Sequence, residues 1–268
     1  MSNKAILLVI DPEKDFCNPT TGSLYVNGAD KDMSRLAKMV NENAPLIDRI
    51  NVTLDSHHYI HISHSIWWVD SKGQHPDPYT VISVEDVKTG KFRATNPEMQ
   101  QWSLDYVKAL RDGNRYVLCI WPYHCLIGSE GAAVVPELFE AIVNWEKNFR
   151  LTNYVPKGSC IFTEHYSAVK ADVEYSGDPT TMLNTPLINM LKTGLDILLA
   201  GEALDFCMAN TVRDIANEFS EDEVKKLVLL EDATSPVNAP GLEHLGKDFI
   251  DEMVAKGMRI STTDKYFK

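Results

Sequence analysis

Short apolar runs recur along the chain, each bounded by polar or turn residues. AILLVI (5–10) ends at Asp11, INVTL (50–54) at Asp55, and YVLCI (116–120) at Trp121. DILLAG (196–201) leads into EALDFC, KLVLLED (226–232) follows, and MRISTTD (258–264) completes the set. Runs of this length fit strands buried on both faces, as in a parallel sheet. Helical patterns lie between them: DMSRLAKMVNENAPLIDRI (32–50), DFCMANTVRDIANEF (205–219) and LGKDFIDEMVAKG (245–257), the last with Gly257 placed as a C-cap. The alternation predicts βαβ units and an α/β fold, a three-layer αβα sandwich around a mainly parallel sheet. Residues 65–115 break the alternation. They carry Trp67, Trp68, Trp102, HPDPY and a helix-like NPEMQQWSLDYVKALRDG. They read as an insertion between two strands of one domain spanning 1–268.

Composition narrows the function classes. The chain has 268 residues, is 44% hydrophobic and carries a formal charge of −12. An acidic chain without a Lys/Arg cluster argues against nucleic-acid binding, which draws its affinity from cations on phosphates. No apolar run reaches the ~18 residues of a membrane span. The opening MSNKAILLVIDPEKDF meets Asp11, Glu13 and Asp15 where a signal peptide needs small residues, so the expectation is a first strand in a cytoplasmic protein. The five cysteines, Cys17, Cys119, Cys125, Cys160 and Cys207, form no C-x-x-C pair. Their odd number and wide spacing argue against a disulfide framework or a zinc ribbon.

Ligands of open α/β sheets sit beyond the carboxyl ends of the strands. Asp11, Asp55, the 121–125 segment and the 202–207 segment all lie there. TLDSHHYIHISH (53–64) holds His57, His58, His61 and His64, four of the eight histidines. In an extended backbone Asp55 and His57 point to the same side. One carboxylate and one imidazole suit zinc or iron(II), and His124 in WPYHC could supply a third ligand. The competing reading is a solvated loop. Cys207 follows a strand and opens a helix, a position that favours a thiolate and offers N–H groups to an oxyanion. On position alone, a buried core thiol is the stronger reading. Asp11 is a candidate base or a capping aspartate, and Lys157 in VPKGS is by itself an ordinary lysine.

Five stretches in order carry a resemblance. VIDPEKDFCNPTTGSLYVNGA (9–29), LDSHHYIHIS (54–63), WPYHC (121–125), KGSCIFTEHYSA (157–168) and AGEALDFCMANT (200–211) resemble the nicotinamidase branch of the isochorismatase-like cysteine hydrolases. The resemblance implies Cys207 as nucleophile, Asp11 as general base and Lys157 as the cation beside the thiolate. It implies a cis peptide before Ala203, with the N–H groups of Ala203 and Cys207 forming an oxyanion hole. Phe16, Trp121 and Tyr166 match residues lining the substrate pocket. Asp55, His57 and His124 match ligands of a divalent metal, zinc or iron. His61 falls on a histidine that is a ligand in some members and near the metal in others. His58 and His64 match nothing, and are expected to be solvated or to stand behind the ligands. The implied activity is hydrolysis of nicotinamide, or a similar small aromatic amide, to the acid and ammonia. The implied assembly is a homo-oligomer, with a small-molecule amide as the only other partner.

Two positions depart from the pattern. Glu13 stands where glutamine is expected in D-x-Q-x-D-F. Glu202 stands at a usually apolar position beside the oxyanion hole, where a carboxylate must be paired or point away. Three alternatives stay open: a related hydrolase of another small amide, a catalytically silent binding protein on the same fold, and a flavodoxin-like nucleotide binder. The last lacks a glycine-rich phosphate loop after the first strand.

Overall fold

The structure is a computed structural model describing residues 5–268. Its ten strands are β1 (Ala5–Ile10), β2 (Ile47–Asp55), β3 (Trp68–Asp70), β4 (Val81–Ile82), β5 (Phe92–Ala94), β6 (Leu118–Cys119), β7 (Asn153–Lys157), β8 (Ile197–Gly201), β9 (Leu227–Leu230) and β10 (Arg259–Ser261). Six of them form one sheet in the order β10-β9-β8-β1-β2-β7, with every neighbouring pair parallel. Strands β1, β8 and β9 are buried along their whole length, as continuous apolar runs require.

From β1 the chain moves outward to β2 in one direction, and later from β8 to β9 and β10 in the other. Right-handed crossovers running in opposite directions put their helices on opposite faces. The helix Ala29–Asn43 therefore covers one face, packed with Pro136–Glu146. Ala209–Glu218 and Leu245–Ala255 cover the other. This is the three-layer α/β sandwich expected from the pattern. Order reverses between β1 and β8, so a crevice opens beyond their carboxyl ends.

Three local expectations need correction. The helix expected over 32–50 begins at Ala29 and ends at Asn43; Pro45 follows within a single 3-10 turn, and β2 starts at Ile47. Proline cannot continue a helical hydrogen-bond ladder. YVLCI contributes only β6, which pairs antiparallel with β4 in a separate ladder rather than joining the main sheet. The sheet edge is instead β7, NYVPK. As an edge strand it is half exposed and tolerates Pro156, so it lacks the continuous apolar signature.

The segment 65–115 builds a small core of its own. Trp67, Trp68, Phe92, Tyr106, Leu110 and Ile120 pack together there, apart from the main core. Its indoles are anchored: Trp67 Nε1 donates to Ser103 Oγ (2.9 Å), and Trp68 Nε1 to the Ile62 carbonyl (2.7 Å). Trp102 Nε1 donates to the Phe162 carbonyl (2.8 Å). The insertion is thereby tied to both loops that flank the crevice.

Gly201 closes β8 with φ 107°, and a Cβ there would lie 2.0 Å from the Ile10 carbonyl oxygen. The contact is backbone on backbone and cannot relax by a rotamer change. Gly201→Ala should therefore cost more than about 2 kcal/mol. Urea denaturation is the measurement, and a midpoint within error of wild type would refute the strain.

Candidate active site and metal centre

The last residue pair of the β2/β7 ladder is Asp55 opposite Lys157, and β1 ends at Asp11. Strand register alone thus brings two carboxylates and one ammonium to the same rim. Lys157 Nζ lies 2.8 Å from Asp11 Oδ2, 3.1 Å from Asp55 Oδ1 and 3.5 Å from Cys207 Sγ. All four side chains are buried. Asp11 adopts φ 43°, unusual for a residue with a side chain. It is held there by Thr53 on β2. The Asp11 N–H donates to Thr53 Oγ1 (3.0 Å), and that hydroxyl donates to Asp11 Oδ1 (2.5 Å).

Cys207 sits one step earlier in the helix than its sequence suggests. It lies in a π-helical turn, Leu204–Met208, that feeds the helix Ala209–Glu218. The Glu202-Ala203 peptide is cis, as the resemblance implies. Burial pushes the Cys207 thiol well above its ordinary value, although Lys157 opposes it. Burial also raises Asp11, again against the pull of Lys157. Burial would lower Lys157, but Asp11, Asp55 and Cys207 outweigh it and keep the ammonium charged. The resting site is a neutral thiol beside a basic carboxylate and a fixed cation.

Glu202 is fully buried but turns away from the crevice. Its Oε2 accepts from the Ser235 N–H (3.0 Å), and its Oε1 is buried without a partner. Burial raises its pKa well above the carboxylate range, with Asp32 adding to the effect. A neutral, turned-away carboxyl does not repel an oxyanion. Glu13 is likewise buried, and burial raises it well above its ordinary value. A protonated carboxyl offers one donor and one acceptor, as the expected glutamine would.

On the far side of Asp55 stand the histidines. His57 continues the extended chain and pairs with Leu126 in an isolated parallel bridge, which draws His124 alongside. Asp15 anchors that second loop by accepting the Cys125 N–H at Oδ2 (2.7 Å). Asp55 Oδ2 receives His57 Nε2 at 3.0 Å and His124 Nε2 at 3.2 Å. Burial would raise Asp55, but His57, Lys157 and His124 together hold it well below its ordinary value. His57 Nδ1 also meets the Gly158 carbonyl (3.2 Å), and His124 Nδ1 the Pro122 carbonyl (2.8 Å). A carbonyl only accepts, so each Nδ1 carries the proton. Burial would lower His57, but Asp55 outweighs it and favours an imidazolium whose Nε2 donates to the carboxylate. A metal cation takes the place of that proton, leaving the Nε2 lone pairs to bind it. A cation between them satisfies all three groups, and the donor set of one carboxylate and two imidazoles fits zinc or iron(II). Ligand atoms of Asp55, His57 and His124 lie within 4.8 Å of one another.

The remaining histidines split by burial. His58 is exposed, but His61 and His64 are wholly buried. Burial, with the neighbouring histidines, pushes His64 down to about 3.

Between Cys207 and the histidines lies a narrow crevice of about 30 Å³. Phe16, Trp121, Tyr166 and Ala203 line it together with Cys207, Asp55 and His124. Trp121 Nε1 donates to the Tyr166 hydroxyl (2.8 Å), which fixes both rings. Two residues here were not legible beforehand. Thr53 lies mid-strand and carries no motif. Glu164 lines the crevice, buried, with Oε1 accepting the His165 N–H (2.9 Å) and Oε2 unpartnered. It lies inside KGSCIFTEHYSA, where no spacing distinguishes it. All five cysteines are free and buried. No helix among the described residues is long and apolar enough to cross a membrane.

No protein-family model and no curated protein matches the sequence. Solved structures do match. The yeast nicotinamidase bound to the inhibitor nicotinaldehyde is 19% identical with a TM-score of 0.66, covering 96% of this chain and 99% of that one. The nicotinamidase/pyrazinamidase of Acinetobacter baumanii is 20% identical with a TM-score of 0.64, covering 98% and 97%. The pyrazinamidase of Pyrococcus horikoshii in complex with zinc is 19% identical with a TM-score of 0.56, covering 97% and 99%. The chain has the fold of these proteins over nearly its whole length.

Burial, helped by Lys157, pushes His165 down to about 3, against an ordinary 6.5. Its folded pKa is below its unfolded one, so the unfolded chain takes up the proton first as pH falls. Its contribution is whole above pH 6.5 and is lost progressively toward pH 3. One proton corresponds to about 1.4 kcal/mol per pH unit. In metal-free protein, His165→Gln should flatten the fall in stability between about pH 6 and 4 by up to that slope. Equal slopes in urea titrations would contradict it.

Proposed function

We propose that the chain is a metal-containing amidohydrolase of the nicotinamidase type. It converts nicotinamide, or a similar small heteroaromatic amide, to the acid and ammonia through a thioester on Cys207. The observation that carries this reading is the single buried ammonium of Lys157, in contact with Asp11, Cys207 and Asp55 at once. It joins a nucleophile with its base to a carboxylate shared by two imidazoles. The similar solved proteins named above are nicotinamidases and pyrazinamidases, one holding nicotinaldehyde and one zinc.

In the proposed reaction Asp11 takes the Cys207 proton as sulfur attacks the amide carbonyl carbon. Lys157 stays charged throughout and offsets the negative charge that passes between sulfur and carboxylate. The N–H groups of Ala203 and Cys207 receive the oxyanion. The tetrahedral species collapses, the C–N bond breaks, and protonated Asp11 returns its proton to the departing nitrogen. Asp11 then accepts a proton from water as its oxygen attacks the thioester. The acid leaves, and sulfur recovers the proton. Cys207 need not be ionised at rest, because its base is already in place.

Asp55, His57 and His124 would hold the divalent metal, zinc or iron(II), which when bound supplies a Lewis-acid partner for a ring nitrogen and so orients the substrate. Phe16, Trp121 and Tyr166 supply the apolar and aromatic walls for a flat ring. Glu164 lines the crevice and keeps one buried carboxylate oxygen without a partner, suited to a donor on the substrate. The turned-away Glu202 removes the main objection to catalysis.

Purified protein should release ammonia from nicotinamide and contain about one metal per chain, and Cys207→Ala should lose the activity while keeping the metal. A metal-loaded wild type inert toward nicotinamide and related heteroaromatic amides would refute the assignment. Glu164→Gln should raise KM about tenfold with a smaller change in kcat, as expected for a lost charged hydrogen bond of about 1.5 kcal/mol. An unchanged KM would remove Glu164 from substrate recognition.

A further inference from the structure

We propose that His64 is a ligand of this metal centre and that His61, four residues past His57, is not. The inference rests on the metal-containing reading above and extends its donor set.

Three buried histidines here share one hydrogen-bonding arrangement. His57 Nδ1 meets the Gly158 carbonyl at 3.2 Å, His124 Nδ1 the Pro122 carbonyl at 2.8 Å, and His64 Nδ1 the Tyr59 carbonyl at 3.1 Å. Each carbonyl fixes the proton on Nδ1 and leaves a lone pair on Nε2, the usual preparation of a ligating imidazole. His64 Nε2 is buried and has no partner at all. A lone pair in that position is costly unless something accepts it.

His61 is prepared the opposite way. The Ser63 N–H donates to its Nδ1 (3.2 Å), with the Ser63 hydroxyl 2.7 Å from the same nitrogen. Nδ1 is therefore an acceptor, the proton sits on Nε2, and Nε2 donates to the Thr163 carbonyl (3.1 Å). Both nitrogens are engaged, and neither lone pair is free. His61 instead links the histidine loop to the loop carrying Glu164.

Position alone leaves both rings beside the centre, His61 4.5 Å and His64 5.3 Å from the His57 ring, so the hydrogen bonds carry the division. Ligand atoms of His57, His61 and His64 lie within 4.8 Å of one another, as do those of Asp55, His57 and His124. The two groups share His57, whose only available lone pair is on Nε2, already facing Asp55. One lone pair cannot serve two separate ions. Any ion that His64 shares with His57 is therefore the one held by Asp55 and His124. The His64 ring packs against those of His57 and His124, with centroids 5.3 and 5.9 Å away. Its backbone is fixed by the parallel bridge to Trp121, so the loop that brings His124 also positions His64. One carboxylate and three imidazoles make four protein donors, a set suited to zinc or iron(II).

The test measures zinc affinity by chelator competition and the visible bands of the cobalt(II)-loaded protein, both independent of turnover. His64→Phe, which keeps a ring in the same space, should weaken zinc at least about 100-fold and shift the cobalt bands. His61→Phe should weaken zinc about tenfold or less and leave the bands in place, as for residues that support ligands. Zinc affinity within threefold of wild type and unchanged bands in His64→Phe would overturn the inference. So would His61→Phe causing the larger loss. Should the variant fail to fold, cadmium NMR of the isotope-labelled wild-type chain decides: coupling between bound cadmium and His64 Nε2 is expected, and its absence overturns the assignment. A wild-type chain that binds no metal removes both this inference and the metal part of the proposed function. Metal binding indifferent to His64 removes this inference alone.

Discussion

The site depends on one buried cation. Lys157 is buried away from bulk solvent, so Asp11 and Asp55 must stabilise its charge. The converse holds for the carboxylates, which would otherwise sit uncompensated beside a thiol. Each member makes the others' ionisation affordable within the interior. This mutual requirement explains why Asp11 tolerates a left-handed backbone and why Thr53 is spent on holding it there. It also links the two halves of the site. Asp55 gives one oxygen to Lys157 and the other to His57 and His124, so the Lys157–Cys207 group and the histidine cluster cannot be positioned independently.

Sheet topology supplies the frame for that cation. Strands β1, β2, β7 and β8 are neighbours in the middle and at one edge of the sheet, although the chain visits them across nearly 200 residues. Register then sets which side chains meet: Asp55 is opposite Lys157, and Ile10, just before Asp11, is opposite Gly201. The absence of a side chain at Gly201 lets the turn that carries Cys207 approach β1 closely. Rigid strand ends position the reactive groups, and loops add the remaining walls.

The insertion has a supporting part in this arrangement. Its separate small core clamps the histidine loop through Trp68 and the Ile62 carbonyl, and the Glu164 loop through Trp102 and the Phe162 carbonyl. Extra chain length here stiffens loops rather than adding reactive groups. The two departures from the family pattern also become intelligible. Glu13 and Glu202 are buried where burial favours the neutral form, and a neutral carboxyl is a polar but uncharged neighbour.

Much was determined by sequence alone. Continuous apolar runs marked the buried strands β1, β8 and β9, because burial on both faces leaves no room for polar alternation. The residues just past those runs marked the rim, and the ordered motifs marked Asp11, Asp55, His57, His124, Lys157 and Cys207 as candidates. Tertiary structure decided what pattern cannot encode. β7 is an edge strand with one wet face, so its composition resembles a loop. YVLCI pairs within the insertion because strand partners are chosen by three-dimensional proximity, not hydrophobicity. Thr53 matters through a contact across the sheet, and Glu164 through the crevice it faces. Four histidines in a row of twelve residues look alike on paper. What separates His57 and His64 from His61 is the carbonyl or N–H that each ring nitrogen meets, and only the folded backbone sets those partners.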